Sequence, residues 1–221
     1  MHSGRLHEIF SLSSEDAGRL RDRINAFNGL IRIFIHPYYE RIRGNLLSRP
    51  PYPTAEVAKK KELHYVLSRM AKLDSDKTPP IFLFEEAAGI DRLRERFREE
   101  LQNEIYVVPT QDCRPEPKVE DNPGLEKNPD ISKRNWDAFR KVLKGVGVQR
   151  ILIGGMYFEV DPTRTKEKFS DMRDPALAQC VGVAVNFLQD EFQIELSNLT
   201  VSEGESQKGR KEYLNYRNSQ G

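Results

Sequence analysis

The chain reads as an α/β protein, a three-layer αβα sandwich built on a five-stranded, mostly parallel, Rossmann-like sheet. Three observations predict this. Five short apolar runs recur along the chain, at Leu30–Tyr39, Pro80–Glu86, Glu104–Thr110, Arg150–Gly155 and Phe192–Val201. Segments with the 3.6-residue spacing of amphipathic helices separate them. The bodies of the runs (LIRIFI, IFLF, RILI) are continuously apolar rather than alternating, as strands buried on both faces of a parallel sheet require. Right-handed crossovers between such strands put helices on both faces. The expected order, numbering the runs as they occur, is 3-2-1-4-5, the doubly wound arrangement.

Taken in order, Arg5–Leu12 fits either a short strand or the lead-in to a helix. Ser13 or Ser14 caps a helix whose first turn carries Glu15 and Asp16, which suits the positive end of the helix dipole. Ala17, Leu20, Ile24 and Phe27 share one face of it, and Asn28-Gly29 ends it. After the first run, Tyr38–Pro53 is rich in Arg, Pro and Tyr and reads as a loop. Thr54 caps a helix reaching to about Leu73. Ile90, Leu93, Phe97 and Leu101 mark another helix, whose charged outer face is a solvated one. Gln111–Asp130 is a long loop containing Pro115, Pro117, Pro123 and Pro129, of the kind that forms lids or binding loops. Ser132 caps the next helix, which buries Trp136, Phe139, Val142, Leu143 and Val146. Gly154-Gly155 either closes the fourth run or lets MYFEV continue it. Asp161–Arg173 is a second polar loop. Asp174-Pro175 is a helix start, and Pro175–Asp190 is apolar on most sides, which calls for packing between layers or against another copy of the chain. The chain divides into one α/β domain over residues 1–202 and a polar tail over 203–221 with the composition of disorder.

Composition narrows the function classes. Charged residues are 31% of the 221, yet 35 basic and 34 acidic residues leave a net charge of +1. No strong field draws the chain to nucleic acid or to a membrane surface. No apolar stretch has the length of a membrane span or of a signal-peptide core, so a cytoplasmic protein is expected. Cys113 and Cys180 are too few for a disulfide scaffold, and His2, His7, His36 and His64 lack the spacing of a metal pair, so no metal site is expected. GxGxxG, GxxxxGK[ST] and GxSxG are all absent, and the sequence names no cofactor.

In doubly wound sheets ligands sit beyond the carboxyl ends of the strands, where the strand order reverses. That places the candidate site between the ends of the first and fourth runs. Candidate catalytic residues are His36, a general base by virtue of its near-neutral pKa, Asp112 and Glu85. Candidate ligand-binding residues are Tyr38, Tyr39, Arg43, Thr110, Arg114, Gly154, Gly155, Tyr157 and Glu159. Glu85 and Glu86 are adjacent on a strand and point to opposite faces, so one of them at most enters the site.

The Gly154-Gly155 strand followed by QCVGVAVNFL resembles the isochorismatase-like cysteine hydrolases over about the last third of the chain. In that family a glycine of the fourth strand is followed by a cysteine-valine pair opening a helix. An aspartate after the first strand and a lysine after the third complete the catalytic triad. The resemblance implies a nucleophilic Cys180. Here His36-Pro37 stands where the aspartate would be, and no lysine directly follows the third run. With Pro175 as the first helical residue, Cys180 would lie six residues into its helix, buried and inert.

Three function classes follow. The first is a small-molecule site at the strand-end rim, with hydrolase or transferase chemistry. The second is a non-enzymatic interaction module, its contact made between copies of the chain through the 175–190 helix. The third is single-stranded nucleic-acid binding through Arg41, Arg43 and Arg49 interleaved with Tyr38, Tyr39 and Tyr52, which the near-zero net charge argues against.

Overall fold

The apolar runs form the strands of a computed structural model that describes residues 5–37, 54–86, 90, 93, 101–111, 114–116, 129–161, 163–164 and 172–202. The strands are β1 (Leu6–Glu8), β2 (Leu30–Ile35), β3 (Ile81–Glu86), β4 (Ile105–Gln111), β5 (Arg114–Pro115), β6 (Arg150–Val160), β7 (Leu177–Ala178) and β8 (Gln193–Ser202). The helices are α1 (Ser14–Ala26), α2 (Thr54–Ala71), α3 (Pro129–Gly145) and α4 (Gln179–Leu188). Ile90 and Leu93 are also helical. The rest of that predicted helix, the loop from Tyr38 to Pro53 and the tail from residue 203 lie outside the described residues.

The parallel ladder runs β1-β4-β3-β2-β6-β8. The five predicted runs keep their doubly wound succession, with the reversal between β2 and β6. The complete order differs from the five-strand expectation because β1 adds a parallel strand outside β4. Two short antiparallel pieces are also added, β5 on the end of β4 and β7 on the end of β6. The ambiguous segment before α1 is therefore a strand, followed by a 3-10 turn at Ile9–Ser11.

Each face of the sheet carries its own apolar cluster, which is what continuous apolar strands demand. Ile31, Ile33 and Ile35 of β2 face α1, α3 and α4, whereas Phe34 faces α2. On the first face Trp136, Phe139 and Leu143 of α3 recur at helical spacing and are fully buried. Trp136 stacks on Phe187 of α4 (5.3 Å between centroids), and Phe139 packs edge-on to Phe84 (5.2 Å, 89°). Each such aromatic pair adds roughly 0.5–1.5 kcal/mol to the burial itself. The second face is closed by Leu63, Leu67 and Ala71 of α2 and by Leu93.

Of the two courses open at Gly154-Gly155, β6 takes the second and runs on to Val160. Two boundaries depart from the sequence reading. α3 begins at Pro129, so Ser132 lies inside the helix rather than at its cap. Asp174-Pro175 starts a turn, not a helix. The Leu177 N–H donates to the Asp174 carbonyl (3.2 Å) and the Ala176 N–H to Asp174 Oδ1 (3.2 Å). Asp at the first position and Pro at the second is also a β-turn signature, and here the pairing of Leu177–Ala178 with Glu159–Val160 decides between the two. α4 therefore begins at Gln179. Its apolar side chains from Val181 to Leu188 are buried within this chain apart from the half-buried Val183. That removes the reason for expecting contact with another copy there.

Candidate functional site

The ends of β2, β3 and β4 bring three polar side chains into an apolar setting. His36, Glu85 and Thr110 are buried, with 2%, 2% and 3% of their surface exposed. The strand register makes them neighbours: Ile35 pairs with Phe84, and Glu86 with Thr110. His36 leaves the strand with φ +46, a left-handed conformation that is uncommon for a residue with a side chain. Its N–H donates to the Phe84 carbonyl (2.9 Å), and its Nε2 lies 2.9 Å from Thr110 Oγ1. Burial pushes the imidazole down to about 4, so the ring is neutral at pH 7. Pro37 follows, and its carbonyl accepts a hydrogen bond from His64 Nε2 of α2 at 2.6 Å. A carbonyl can only accept, so His64 carries its ring proton on Nε2.

Across the reversal point, β6 approaches β2 more closely than a side chain allows. Gly155 pairs with Ile35 at φ +130, and a Cβ there would sit 2.2 Å from the Ile35 carbonyl oxygen. On the other side, the ladder between β6 and β8 slips between Ile153 and Gly155. Ser197 Oγ accepts from the Leu199 N–H (3.1 Å), and Thr200 Oγ1 donates to the Ser197 carbonyl (2.8 Å). This bulge packs on Gly154, whose Cβ would meet Ser197 Cβ at 2.9 Å. Bulges concentrate beside functional sites. Past the glycines Tyr157 is buried at φ +64.

α4 begins beside this end of β6. Glu159 pairs with Ala178, and Gln179 Nε2 donates to Glu159 Oε2 (3.2 Å). Gln179 opens the helix at φ +62, and Cys180, a half-buried thiol, is its second residue. Ala178 caps the helix without a side-chain hydrogen bond, and the first turn holds no acidic residue. The start is anchored from below. Asn186 Oδ1 accepts from the Asp174 N–H (2.8 Å), and Asn186 Nδ2 donates to the carbonyls of Asp174 (2.6 Å) and Leu177 (3.3 Å). Gly182 lets α4 press on β7, since a Cβ there would be 2.9 Å from the Leu177 carbonyl carbon.

Of the residues singled out from sequence, His36, Glu85 and Thr110 gather at the ends of β2–β4, and Gly154, Gly155, Tyr157 and Glu159 lie along β6. Glu86 is partly exposed at the end of β3, where Glu85 is buried, as opposite faces require. Arg114 lies in β5, opposite Gln111 of β4. Tyr38, Tyr39, Arg43, Asp112 and Cys113 lie outside the described residues, as do Arg41, Arg49 and Tyr52. Cys180 is neither deep in its helix nor fully buried, which corrects the expectation made from Asp174-Pro175. Gln179, Asn186 and Ser197 were missed. A lone amide or hydroxyl in an apolar segment was their signal, and it is legible only once the partner's position is known.

Among the described residues no group of three or more His, Cys, Asp or Glu side chains could hold a metal ion. No helix among them is long and apolar enough to cross a membrane. No family model, curated protein or solved structure matches the chain.

Proposed function

We propose that the chain is a thiol-dependent hydrolase or transferase for a small carbonyl compound, bound where the carboxyl ends of β2 and β6 meet the amino end of α4. The single observation that carries this is Cys180, a half-exposed thiol at the second position of a helix with neither a side-chain cap nor an acidic first turn. Backbone N–H groups at a helix start and the positive end of the dipole favour a thiolate there, and such N–H groups suit a developing oxyanion. Attack on the carbonyl carbon would form a thioester and expel the leaving group with the thiol proton. Water or a second acceptor would then release the acyl group and restore the thiol. The resemblance to isochorismatase-like cysteine hydrolases supports the same role. With His36 and Thr110 near the positions of that family's aspartate and lysine, the proton-transfer groups are not the family's. This reading suits the cytoplasm, where thiols stay reduced.

Iodoacetamide labelling in a Cys113→Ala background tests it. Cys180 is expected to alkylate about tenfold faster than free cysteine at pH 7. A rate no faster than free cysteine would overturn the reading.

A second reading, a ligand-binding module without chemistry, is favoured by His36. Its ring is held neutral and bonded to a hydroxyl, and a base that weak abstracts protons poorly. Under this reading, thermal shifts against carboxylic acids, nucleotides and sugar phosphates would be the same in Cys180→Ser as in the parent.

A further inference from the structure

Parallel ladders are found almost only with both faces covered. One face of β6 and β8 meets that condition: Ile151, Ile153, Ile194 and Leu196 join the cluster under α1, α3 and α4. On the other face α2 closes over Phe34, Ile81, Leu83 and Leu199. Strand register identifies what α2 leaves. Leu30, Arg150 and Gln193 lie abreast across β2, β6 and β8, and Arg32, Leu152 and Glu195 lie abreast two residues further on. Residues two apart on a strand share a face. Both rows therefore lie on the face that carries Phe34, and Arg32 and Arg150 are diagonal neighbours on it.

Leu30 and Leu152 are half-buried, yet among the described residues neither belongs to an apolar cluster. Arg150, Gln193 and Glu195 are exposed, and a cleft of about 500 Å³ opens beside them. Arg32 is half-buried, and its Nε is shielded from solvent with no hydrogen-bond partner. A guanidinium N–H withheld from water and left without an acceptor calls for a specific explanation. Together with two leucines outside any cluster, it marks a face whose cover is still to be named.

We propose that the cover is the chain's own segment Lys211–Arg217, docked across β2, β6 and β8 as the missing piece of the outer layer. Residue 203 follows directly on β8, the strand that borders the patch. Along that strand Glu195 lies about 23 Å back from Ser202. Residues 203–212 reach about 33 Å when extended, so the segment meets Leu152 with slack. Its composition matches the patch. Tyr213, Leu214 and Tyr216 supply apolar surface for Leu30 and Leu152, and tyrosine suits a face that is apolar at its centre and polar at its rim. Glu212 offers a carboxylate to the Arg32 guanidinium, and Lys211 and Arg217 offer cations to Glu195. The proposal does not depend on the chemistry of Cys180.

The test uses the full chain with ¹³C-labelled leucine methyls and tyrosine rings. Nuclear Overhauser contacts are expected between the methyls of Leu30 or Leu152 and the rings of Tyr213 or Tyr216. Leu214→Ser, a change outside both apolar clusters, should remove them. The same variant should quicken exchange of the Arg32 Nε–H with water about tenfold. No such contacts in the parent, or the same contacts and exchange rate in Leu214→Ser, would overturn the proposal. In a mixture of labelled and unlabelled chains, contacts found only between chains would assign the face to a second copy and overturn it equally.

Discussion

His36 sits at the end of β2 in a left-handed conformation, its ring enclosed between strands and 2.9 Å from Thr110 Oγ1. Burial lowers its pKa from the ordinary 6.5 to about 4. Between those values the unfolded chain takes up a proton that the folded chain refuses, so stability must fall as pH drops from 6.5 to 4 and level off below. The full loss from this residue is about 3 kcal/mol. His36→Asn is the informative variant, because asparagine tolerates φ > 0 and does not titrate. Urea unfolding of parent and variant between pH 7 and pH 4 should show this part of the acid sensitivity in the parent alone, and equal slopes would refute it. The His-Pro dipeptide already marked a strand end in the sequence. The burial that sets the pKa comes from β3 and β4, about fifty and seventy residues further along the chain.

At the scale of the element, α4 shows how tertiary pairing overrides a local signal. Asp174-Pro175 is compatible with a helix start and with a turn. Pairing of Leu177–Ala178 with the end of β6 selects the turn and moves the helix start to Gln179. That shift carries Cys180 from a helix interior to a helix mouth. Asn186 holds the arrangement through three backbone groups of Asp174 and Leu177. Asn186→Leu leaves those groups buried without their partner, and the expected destabilisation is about 2–3 kcal/mol. Amide exchange should accelerate at Asp174–Ala178 more than in α3. Uniform acceleration, or none, would show that Asn186 does not anchor this corner.

Across the whole molecule, the two ends of the sheet have opposite characters. Among the described residues, the carboxyl ends carry positive-φ residues, glycines and buried polar groups, and the amino ends carry charged contacts. At the β1 edge, Glu104 gathers His7 (3.7 Å), Arg19 (3.5 Å) and Arg23 (3.6 Å), and Tyr106 donates its hydroxyl hydrogen to Glu104 Oε2 (3.2 Å). The His7 imidazole, aided by Arg23 and the tyrosine hydroxyl, holds this carboxyl at about 2 rather than 4.5. Its contribution is complete above pH 4.5 and lost as pH falls towards 2. The carboxyl keeps contact with solvent, so the effect is modest. Near-UV circular dichroism should therefore show a second acid step below pH 4.5, beneath the His36 step. Glu104→Gln should remove the lower step and leave the upper one, and an unchanged lower step would rule out this cluster as its source.

What the sequence determined by itself was the five principal strands, their parallel character and the end of the sheet at which the polar residues of β2, β3 and β6 collect. Those features follow from periodicity and from continuous apolar runs, which are local properties. Tertiary structure decided where α4 begins, which of Glu85 and Glu86 is buried, that His36 faces Thr110, and that Arg32 and Arg150 become diagonal neighbours. Each of these depends on register between strands far apart in the chain. One residue of slip exchanges the two faces of a strand, and no local pattern reports the register of a partner still to be met.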